Sequence, residues 1–218
     1  MDDDLVPITV PLPGGELELK QPREANELPD DGAVEWAPLT PYWSVLWRSG
    51  VALAEHVETL DLRRRRVAEL GCGLGIPSIA AASHGAAVLA TDEDPEALEL
   101  LAANARTNGA VGLETLVLDW SEPQALIDRG PFDLILAADV LYEAEAVVHV
   151  LSLLPELAPE AWIATPDRGP AQAFMEHAGG SAVEGTEFRQ RDHVVAARPC
   201  RPKQLRLGEE APERHAVR

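Results

Sequence analysis

The chain has 218 residues, of which 46% are hydrophobic and 25% are charged, as in an ordinary globular domain. Its formal net charge of −19 would repel phosphate backbones, so nucleic acid is excluded as an expected partner, whereas a basic protein or a neutral small molecule fits better. No apolar run approaches the ~18 residues that a membrane span needs. The two cysteines, Cys72 and Cys200, form no disulfide framework, and the start of the chain lacks a secretion signal, so we expect a cytoplasmic protein.

Three segments precede the first core strand. Residues 5–20 alternate around Pro13-Gly14-Gly15, which is typical of a small β-hairpin. Residues 21–35 are polar and acidic and predict a surface loop, of which residues 24–35 are expected to help recruit a basic target. Residues 41–57 carry apolar side chains at helical spacing, so they predict a packed helix.

A regular alternation of short apolar runs and helical segments begins at Val67. The runs are VAEL, VLAT, TLVL, DLILAA and WIAT, and the helices are expected near residues 76–84, 95–108, 121–129, 144–154 and 170–179. Such an alternation predicts parallel βαβ units in a doubly wound sheet. Residues 183–198 predict two strands that close the sheet with an antiparallel edge. The predicted fold class is therefore α/β, with a mostly parallel seven-stranded sheet and a small N-terminal hairpin.

The loop after the first strand, ELGCGLGIPS, has three glycines on alternate positions. Backbone can approach a ligand closely where Cβ is missing, and the next helix adds free N–H groups. The loop is not a P-loop, and its third glycine, Gly75, comes one residue too early for the dinucleotide fingerprint. Glu69 stands just before the loop and would repel a diphosphate. These features favour a ligand that carries an amino group and no phosphate, such as S-adenosylmethionine.

Two further strands end in acidic residues. Asp92 follows VLAT and can accept hydrogen bonds from both ribose hydroxyls of a nucleoside, although an acid there can also be a loop or capping residue. Asp119 follows TLVL and can accept the adenine amine, while Trp120 can lie against the base or simply belong to the core. Because ligands bind at the carboxyl ends of the strands in such sheets, we expect these side chains to share one rim.

Several motifs together resemble one family. The stretch from ELGCGLG to ARTNG resembles the cofactor half of class I S-adenosylmethionine-dependent methyltransferases, and FDLILAADVLY is similar to the fourth-strand motif of seven-β-strand protein lysine methyltransferases. PYWSVLWRSGVALA is similar to their tryptophan-bearing helix. ATPDRGPAQAF resembles the DPGR-type segment of the branch that methylates the electron transfer flavoprotein β subunit, with the order of its residues changed.

The resemblance covers residues 38–198 and implies a domain division. Residues 38–200 would form a Rossmann-like methyltransferase domain, preceded by the hairpin and acidic loop at residues 1–37 and followed by a flexible tail at residues 201–218. Residues 71–75 and Trp47 would hold the methionine and ribose parts of the cofactor.

The resemblance also assigns roles to single residues. Trp120 and Ala138 would border the adenine. Asp139 and Tyr142 would be the catalytic pair, with Asp139 orienting the incoming amine and Tyr142 offering it an aromatic wall. The complete set expected to bind S-adenosylmethionine is Trp47, Glu69, Gly71, Cys72, Gly73, Gly75, Asp92, Asp119, Trp120 and Ala138. The histidines show no metal-ligand spacing, so no metal is expected.

The implied activity is transfer of a methyl group to an amine nitrogen, with a lysine of a protein substrate as the acceptor and a monomer as the favoured state. An N-P-P-Y motif is absent, which argues against amide or nucleic-acid base nitrogens. Three alternatives stay open: a methyltransferase for a small amine, similar to nicotinamide N-methyltransferase, a non-catalytic cofactor-binding protein, and an NAD-dependent oxidoreductase.

Overall fold

The computed structural model describes residues 4–26, 41–166, 169–178, 184–188 and 192–197. Most of the acidic segment expected to recruit a basic target lies outside the described residues. So do Asp167 and Arg168 of the DPGR-like segment, and the tail beyond residue 200.

A two-stranded hairpin and a seven-stranded sheet make up the β-structure. The hairpin strands are β1 (Leu5–Leu12) and β2 (Gly15–Pro22), and the sheet strands are β3 (Arg66–Leu70), β4 (Ala87–Asp92), β5 (Leu113–Val117), β6 (Leu134–Ala138), β7 (Ala161–Pro166), β8 (Glu184–Phe188) and β9 (Asp192–Ala197). The sheet order is β5-β4-β3-β6-β7-β9-β8, and β3 to β7 run parallel. Strand β9 is antiparallel to β7, and β8 is antiparallel to β9. The predicted fold class is confirmed.

The helices follow the predicted alternation with some changed bounds. They are α1 (Arg23–Asn26), α2 (Arg48–Val57), α3 (Ile76–Ser83), α4 (Pro95–Thr107), α5 (Gln124–Ile127), α6 (Ala144–Leu157) and α7 (Gly169–Ala178), with a 3-10 turn at Tyr42–Ser44. Helix α2 begins at Arg48 and not at residue 41, because the 3-10 turn takes up the first residues. Helix α5 is only four residues long and begins after residue 121, where the Asp119 carboxylate accepts from the amide of Ser121 and shapes a turn instead.

Alternate residues of the strands enter two separate cores, one on each face of the sheet. Val67 packs with α2, α3, α4 and the hairpin, whereas its neighbour Ala68 packs with α5, α6 and α7. This confirms the doubly wound arrangement. The chain moves outward from β3 to β5 and returns to β6 on the other side of β3, so the crevice at the carboxyl end of β3 is the expected ligand position.

The hairpin belongs to the first of these cores. Val10 and Leu19 are both 2% exposed and belong to this core, in which β1 contacts α2 and β2 contacts α4. The predicted boundaries at residues 37 and 200 lie outside the described residues and stay predictions. Within the described part of the chain, none of the helices is long and apolar enough to cross a membrane.

Candidate functional site

The glycine loop turns sharply between β3 and α3. Gly71, Gly73 and Gly75 have φ angles of 60°, 49° and 71°, in the left-handed region that side chains with a Cβ disfavour. A Cβ on Gly73 would lie 2.8 Å from the carbonyl oxygen of Trp43, and a Cβ on Gly75 would lie 2.0 Å from Cδ1 of Leu101. Gly75 therefore leaves room for the neighbouring helix α4, whereas Gly73 leaves room for the segment before α2.

Asp92 lies at the end of β4 and is 8% exposed. Its Oδ2 accepts a hydrogen bond of 2.8 Å from the amide of Gly73, and its Oδ1 accepts one of 3.1 Å from the amide of Asp94. Burial raises the pKa of this carboxyl, and the two backbone bonds oppose that shift. Asp92 thus holds the middle of the glycine loop, and each of its oxygens can accept a further hydrogen bond.

Glu69 lies beneath the loop and is 1% exposed. The hydroxyl of Ser78, on α3, donates to its carboxylate, and the hydroxyl of Thr91 donates 2.8 Å to its backbone carbonyl. Burial raises the pKa of Glu69 to about 8. Near neutral pH this carboxyl is mainly protonated in the free protein, and a cation bound nearby would favour its ionised form.

Replacing Glu69 by Gln should change how stability depends on pH. Burial raises the pKa of Glu69 from 4.5 to about 8, so this group contributes to the stability of the wild type while it is protonated. The contribution is complete below pH 4.5 and is lost as the pH rises toward 8. An amide can still accept from Ser78 but cannot ionise. The free energy of unfolding of Glu69→Gln, measured with urea, should therefore rise relative to wild type by up to about 1.4 kcal/mol for each pH unit in this interval. Parallel curves for the two proteins would contradict the assignment.

Asp119 and Trp120, which are both predicted to bind the cofactor, follow the end of β5. A Cβ on Gly71 would lie 3.2 Å from Cζ2 of Trp120 and 3.1 Å from Cγ1 of Val140, so the indole of Trp120 lies against the loop. Asp119 is exposed, and its carboxylate accepts 2.7 Å from the amide of Ser121, which lowers its pKa. Of this pair, Trp120 therefore contacts the loop, whereas Asp119 caps its own turn.

The end of β6 carries the predicted catalytic pair. Asp139 has a φ of 56°, unusual for a residue with a side chain, and its amide donates 2.8 Å to the carbonyl of Ala164 on β7. Tyr142 is 53% exposed. Burial of the rest of its ring, and then the negative charges of Glu143, Glu93 and Asp92, raise the pKa of its hydroxyl. Tyr142 therefore faces the same carboxyl edge of the sheet as Asp92.

Of the three remaining predicted residues, Cys72 belongs to the loop itself, and Ala138 and Trp47 lie at neighbouring elements. Cys72 is 6% exposed, burial raises the pKa of its thiol, and its amide donates 2.9 Å to the carbonyl of Thr91. Such a thiol is a small packing residue and not a nucleophile. Ala138 is partly buried at the end of β6. Trp47 precedes α2, and its indole N–H donates 3.1 Å to the carbonyl of Tyr42.

Sequence reasoning missed two residues that shape this site. Trp43 provides the carbonyl that lies against Gly73, and Gln21 of the hairpin donates 3.0 Å to the carbonyl of Ser44. The only available signal for Gln21 was a polar residue where the alternation of β2 predicts an apolar one. Among the described residues, no cluster of three or more metal-ligating side chains is found.

Comparisons with known proteins agree on the kind of fold and family. A family profile described as lysine methyltransferase matches residues 42–166. The protein N-lysine methyltransferase METTL21A of Danio rerio is 40% identical over 120 residues, covering 52% of this chain and 55% of that protein. The histone-arginine methyltransferase METTL23 of Xenopus laevis is 34% identical over 128 residues, covering 55% of each chain. The electron transfer flavoprotein beta subunit lysine methyltransferase of Xenopus laevis is 38% identical over 117 residues, covering 50% of this chain and 44% of that protein.

The chain thus spans about half the length of the curated relatives it matches. One similar solved structure is the 16S rRNA N2 G1207 methyltransferase of T. Thermophilus, with a TM-score of 0.62, 18% identity and coverage of 90% of this chain and 51% of that one. Another is the ribosomal protein L11 methylase of Lactobacillus delbrueckii subsp. bulgaricus, with a TM-score of 0.56, 22% identity and coverage of 68% and 78%. At these identities the likeness establishes the fold alone.

Proposed function

Because this chain belongs to the lysine methyltransferase family, whose profile covers residues 42–166, we propose that it transfers a methyl group from S-adenosylmethionine to the side-chain amine of a lysine in a protein. The observation that carries the proposal is the position of this match. It contains the glycine loop, Asp92 at the end of β4, and Asp139 and Tyr142 after β6.

The residues around the loop suit S-adenosylmethionine. The left-handed glycines turn the backbone sharply at the carboxyl end of β3, the position at which ligands bind in such sheets. Asp92 supports the loop through the amide of Gly73 and can accept hydrogen bonds from ribose hydroxyls. The buried carboxyl of Glu69 is mainly protonated near neutral pH, and a cation bound nearby would favour its ionised form. Residues 71–75, Trp47 and Trp120 would hold the cofactor, together with the other predicted residues of the set.

When bound, the cofactor supplies a methyl group on a sulfonium, and the neutral thioether that leaves as the C–S bond breaks needs no acid. The work left to the chain is to align the nucleophile with that methyl carbon. A lysine amine has an ordinary pKa of about 10.4 and has to lose its proton first. Because the Asp139 carboxylate would stabilise the ammonium form, we assign it an orienting role before any role as a base. Tyr142 keeps its proton, since its pKa is raised, and presents its ring to the cation.

The test is a labelling experiment with S-adenosylmethionine tritiated on its methyl group. The purified protein is incubated with a lysate, and labelled bands are identified by mass spectrometry. We expect the label on a lysine side chain of a protein. Label found only in small molecules would favour the small-amine alternative. Tight cofactor binding without any labelled product would favour a non-catalytic cofactor-binding protein.

A second candidate acceptor is the guanidinium of a protein arginine. It is favoured by the 34% identity to the histone-arginine methyltransferase METTL23 of Xenopus laevis. Fragment spectra of the labelled peptide separate the two acceptors, because the added mass lies on a lysine in one case and on an arginine in the other. An arginine label would retain the cofactor assignment and replace the lysine assignment.

Replacing Tyr142 by Ala should weaken binding of the acceptor more than it slows the chemical step. Loss of an aromatic face for a cation corresponds to an increase of KM by about 3- to 20-fold, whereas Tyr142→Phe keeps the ring and should stay within about twofold of wild type. Val148→Ala is the control, because Val148 is also exposed (63%) but lies on α6. Equal KM values for Tyr142→Ala and Val148→Ala would remove Tyr142 from the acceptor site.

We further propose that the acceptor protein is basic. We also propose that the methyltransferase itself is cytoplasmic and monomeric. The net charge of −19 supports a basic partner, and the charges of Glu93 and Glu143 act at Tyr142, beside the proposed acceptor position. Association would then weaken as the salt concentration rises. A salt-independent KM for the identified acceptor would argue against this recruitment.

A further inference from the structure

Gln21 is a polar side chain buried in the hairpin. It is 2% exposed and follows Leu17 and Leu19 on the buried side of β2. An amide buried in such a position is costly unless it is hydrogen-bonded. The Nε2 of Gln21 donates 3.0 Å to the carbonyl oxygen of Ser44. The hairpin is thereby bonded to a segment more than 20 residues further along the chain.

The segment that Gln21 contacts lies directly on the glycine loop. Ser44 is fully buried, and its amide and hydroxyl donate 3.0 Å and 2.7 Å to the carbonyl of Pro41, which makes the turn compact. The preceding carbonyl, of Trp43, occupies the space where Gly73 lacks a Cβ. A shift of Ser44 would therefore move the Trp43 carbonyl relative to Gly73.

Helix α4 holds the hairpin strand that carries Gln21. The side-chain amide of Asn104 accepts 2.8 Å from the amide of Lys20 and donates 3.1 Å to its carbonyl. One turn later, Asn108 accepts 2.9 Å from the amide of Glu18 and donates 2.8 Å to its carbonyl. The two asparagines thus pair with β2 as a neighbouring strand would. Strand β2 is fixed to the helix that follows Asp92, while Gln21 reaches across to the other side of the loop.

We propose that Gln21 is a positioning residue for the cofactor site, which holds the turn at Tyr42–Ser44 against the glycine loop and so couples the docked hairpin to cofactor binding. This inference rests on the proposed function for the identity of the ligand. Gln21 itself touches neither cofactor nor acceptor in this account. It acts through the Ser44 carbonyl, and through Trp43, on Gly73.

The test compares Gln21→Leu with wild type in the full chain, using calorimetric titration with S-adenosylmethionine. Leu fits the apolar pattern of β2 but cannot donate to Ser44. We expect Kd to rise about 3- to 10-fold, the range of one hydrogen bond, while kcat at saturating cofactor stays within about twofold. Thr9→Ala is the hairpin control, because Thr9 is exposed and its hydroxyl donates to Glu18 of the same hairpin. An unchanged Kd in a folded Gln21→Leu protein would overturn the proposal.

Hydrogen exchange separates a local effect on the turn from a general loss of stability, and the Kd then shows whether the local effect reaches the cofactor site. Amides of residues 42–47 should exchange faster in Gln21→Leu than in wild type, whereas those of α6 should not change. Uniformly faster exchange along the chain would mean a general loss of stability and would contradict a positioning role. If Gln21→Leu fails to fold, Gln21→Asn, which keeps the amide but shortens its reach, is measured in the same two ways.

The same design separates this inference from the proposed function. If wild type binds no S-adenosylmethionine, the proposed function fails, and the exchange of residues 42–47 still reports on the Gln21–Ser44 bond. If wild type binds the cofactor and Gln21→Leu binds it equally well, the proposed function stands and the positioning role is wrong.

Discussion

Gly75→Ala is expected to destabilise the protein by about 2–5 kcal/mol in urea unfolding. The backbone at Gly75 has a φ of 71°, which costs a residue with a Cβ about 1–2 kcal/mol. In addition, the new methyl group would lie 2.0 Å from Cδ1 of Leu101, a side chain with no exposed surface. The side-chain and backbone shifts that such overpacking forces on a core cost a further ~1–3 kcal/mol.

Gly109→Ala is the matched control for this substitution. Gly109 follows α4 with a φ of 64°, and nothing lies within 4 Å of the added Cβ. Gly109→Ala therefore has the free-energy cost of a left-handed backbone without the overlap between a new methyl group and a neighbouring side chain. The double variant Gly75→Ala with Leu101→Ala should lose less stability than the sum of its single variants, because the cavity accepts the new methyl. Equal losses for Gly75→Ala and Gly109→Ala would contradict the packing explanation.

Asp92→Asn is expected to raise the Kd for S-adenosylmethionine by about 10- to 100-fold, the range for losing a hydrogen bond to a charged group. The substitution keeps the size of the side chain but removes the charge, and one of its two terminal atoms no longer accepts. The bond from the amide of Gly73 (2.8 Å) or that from Asp94 (3.1 Å) is then lost, together with an acceptor for the ribose hydroxyls. Titration calorimetry measures the effect directly.

The control for Asp92→Asn is Asp61→Asn. Asp61 is an exposed carboxylate that accepts 3.0 Å from Nε of Arg63 before β3, away from the carboxyl edge of the sheet. Its replacement removes the same net charge and should leave Kd within about twofold, since exposed ion pairs contribute little. If the two variants bind the cofactor equally well, Asp92 is not part of the site.

The alternation of strands and helices was predictable because it follows from the local spacing of apolar residues along the chain. The strand from Arg66 to Leu70 and the helices from Ile76 and Pro95 come within a residue or two of their predicted bounds. The hydrophobic pattern did not reveal that α5 begins at Gln124 and not at residue 121, since that depends on the side chain of Asp119 closing a turn at Ser121.

The chemistry of the loop was only partly predictable. Glycines at alternate positions indicated a backbone without Cβ, but the sequence could not say what fills the space. At Gly75 it is Leu101, and at Gly73 it is the carbonyl of Trp43. These are contacts between residues far apart in the chain, which neither spacing nor composition encodes. The same applies to the carboxyl of Glu69, which is buried and accepts from Ser78.

The most direct test of the account is a pair of calorimetric titrations of the wild-type protein. One uses S-adenosylmethionine and its demethylated product, and the other uses NADH. The glycine loop with the Asp92 carboxylate beside it predicts saturable binding of both sulfur nucleosides at one site. The early position of Gly75 in the loop predicts no heat from the phosphate-bearing coenzyme. Saturable uptake of NADH, with no heat from either sulfur nucleoside, would contradict the claim that this loop receives a cationic nucleoside without phosphate.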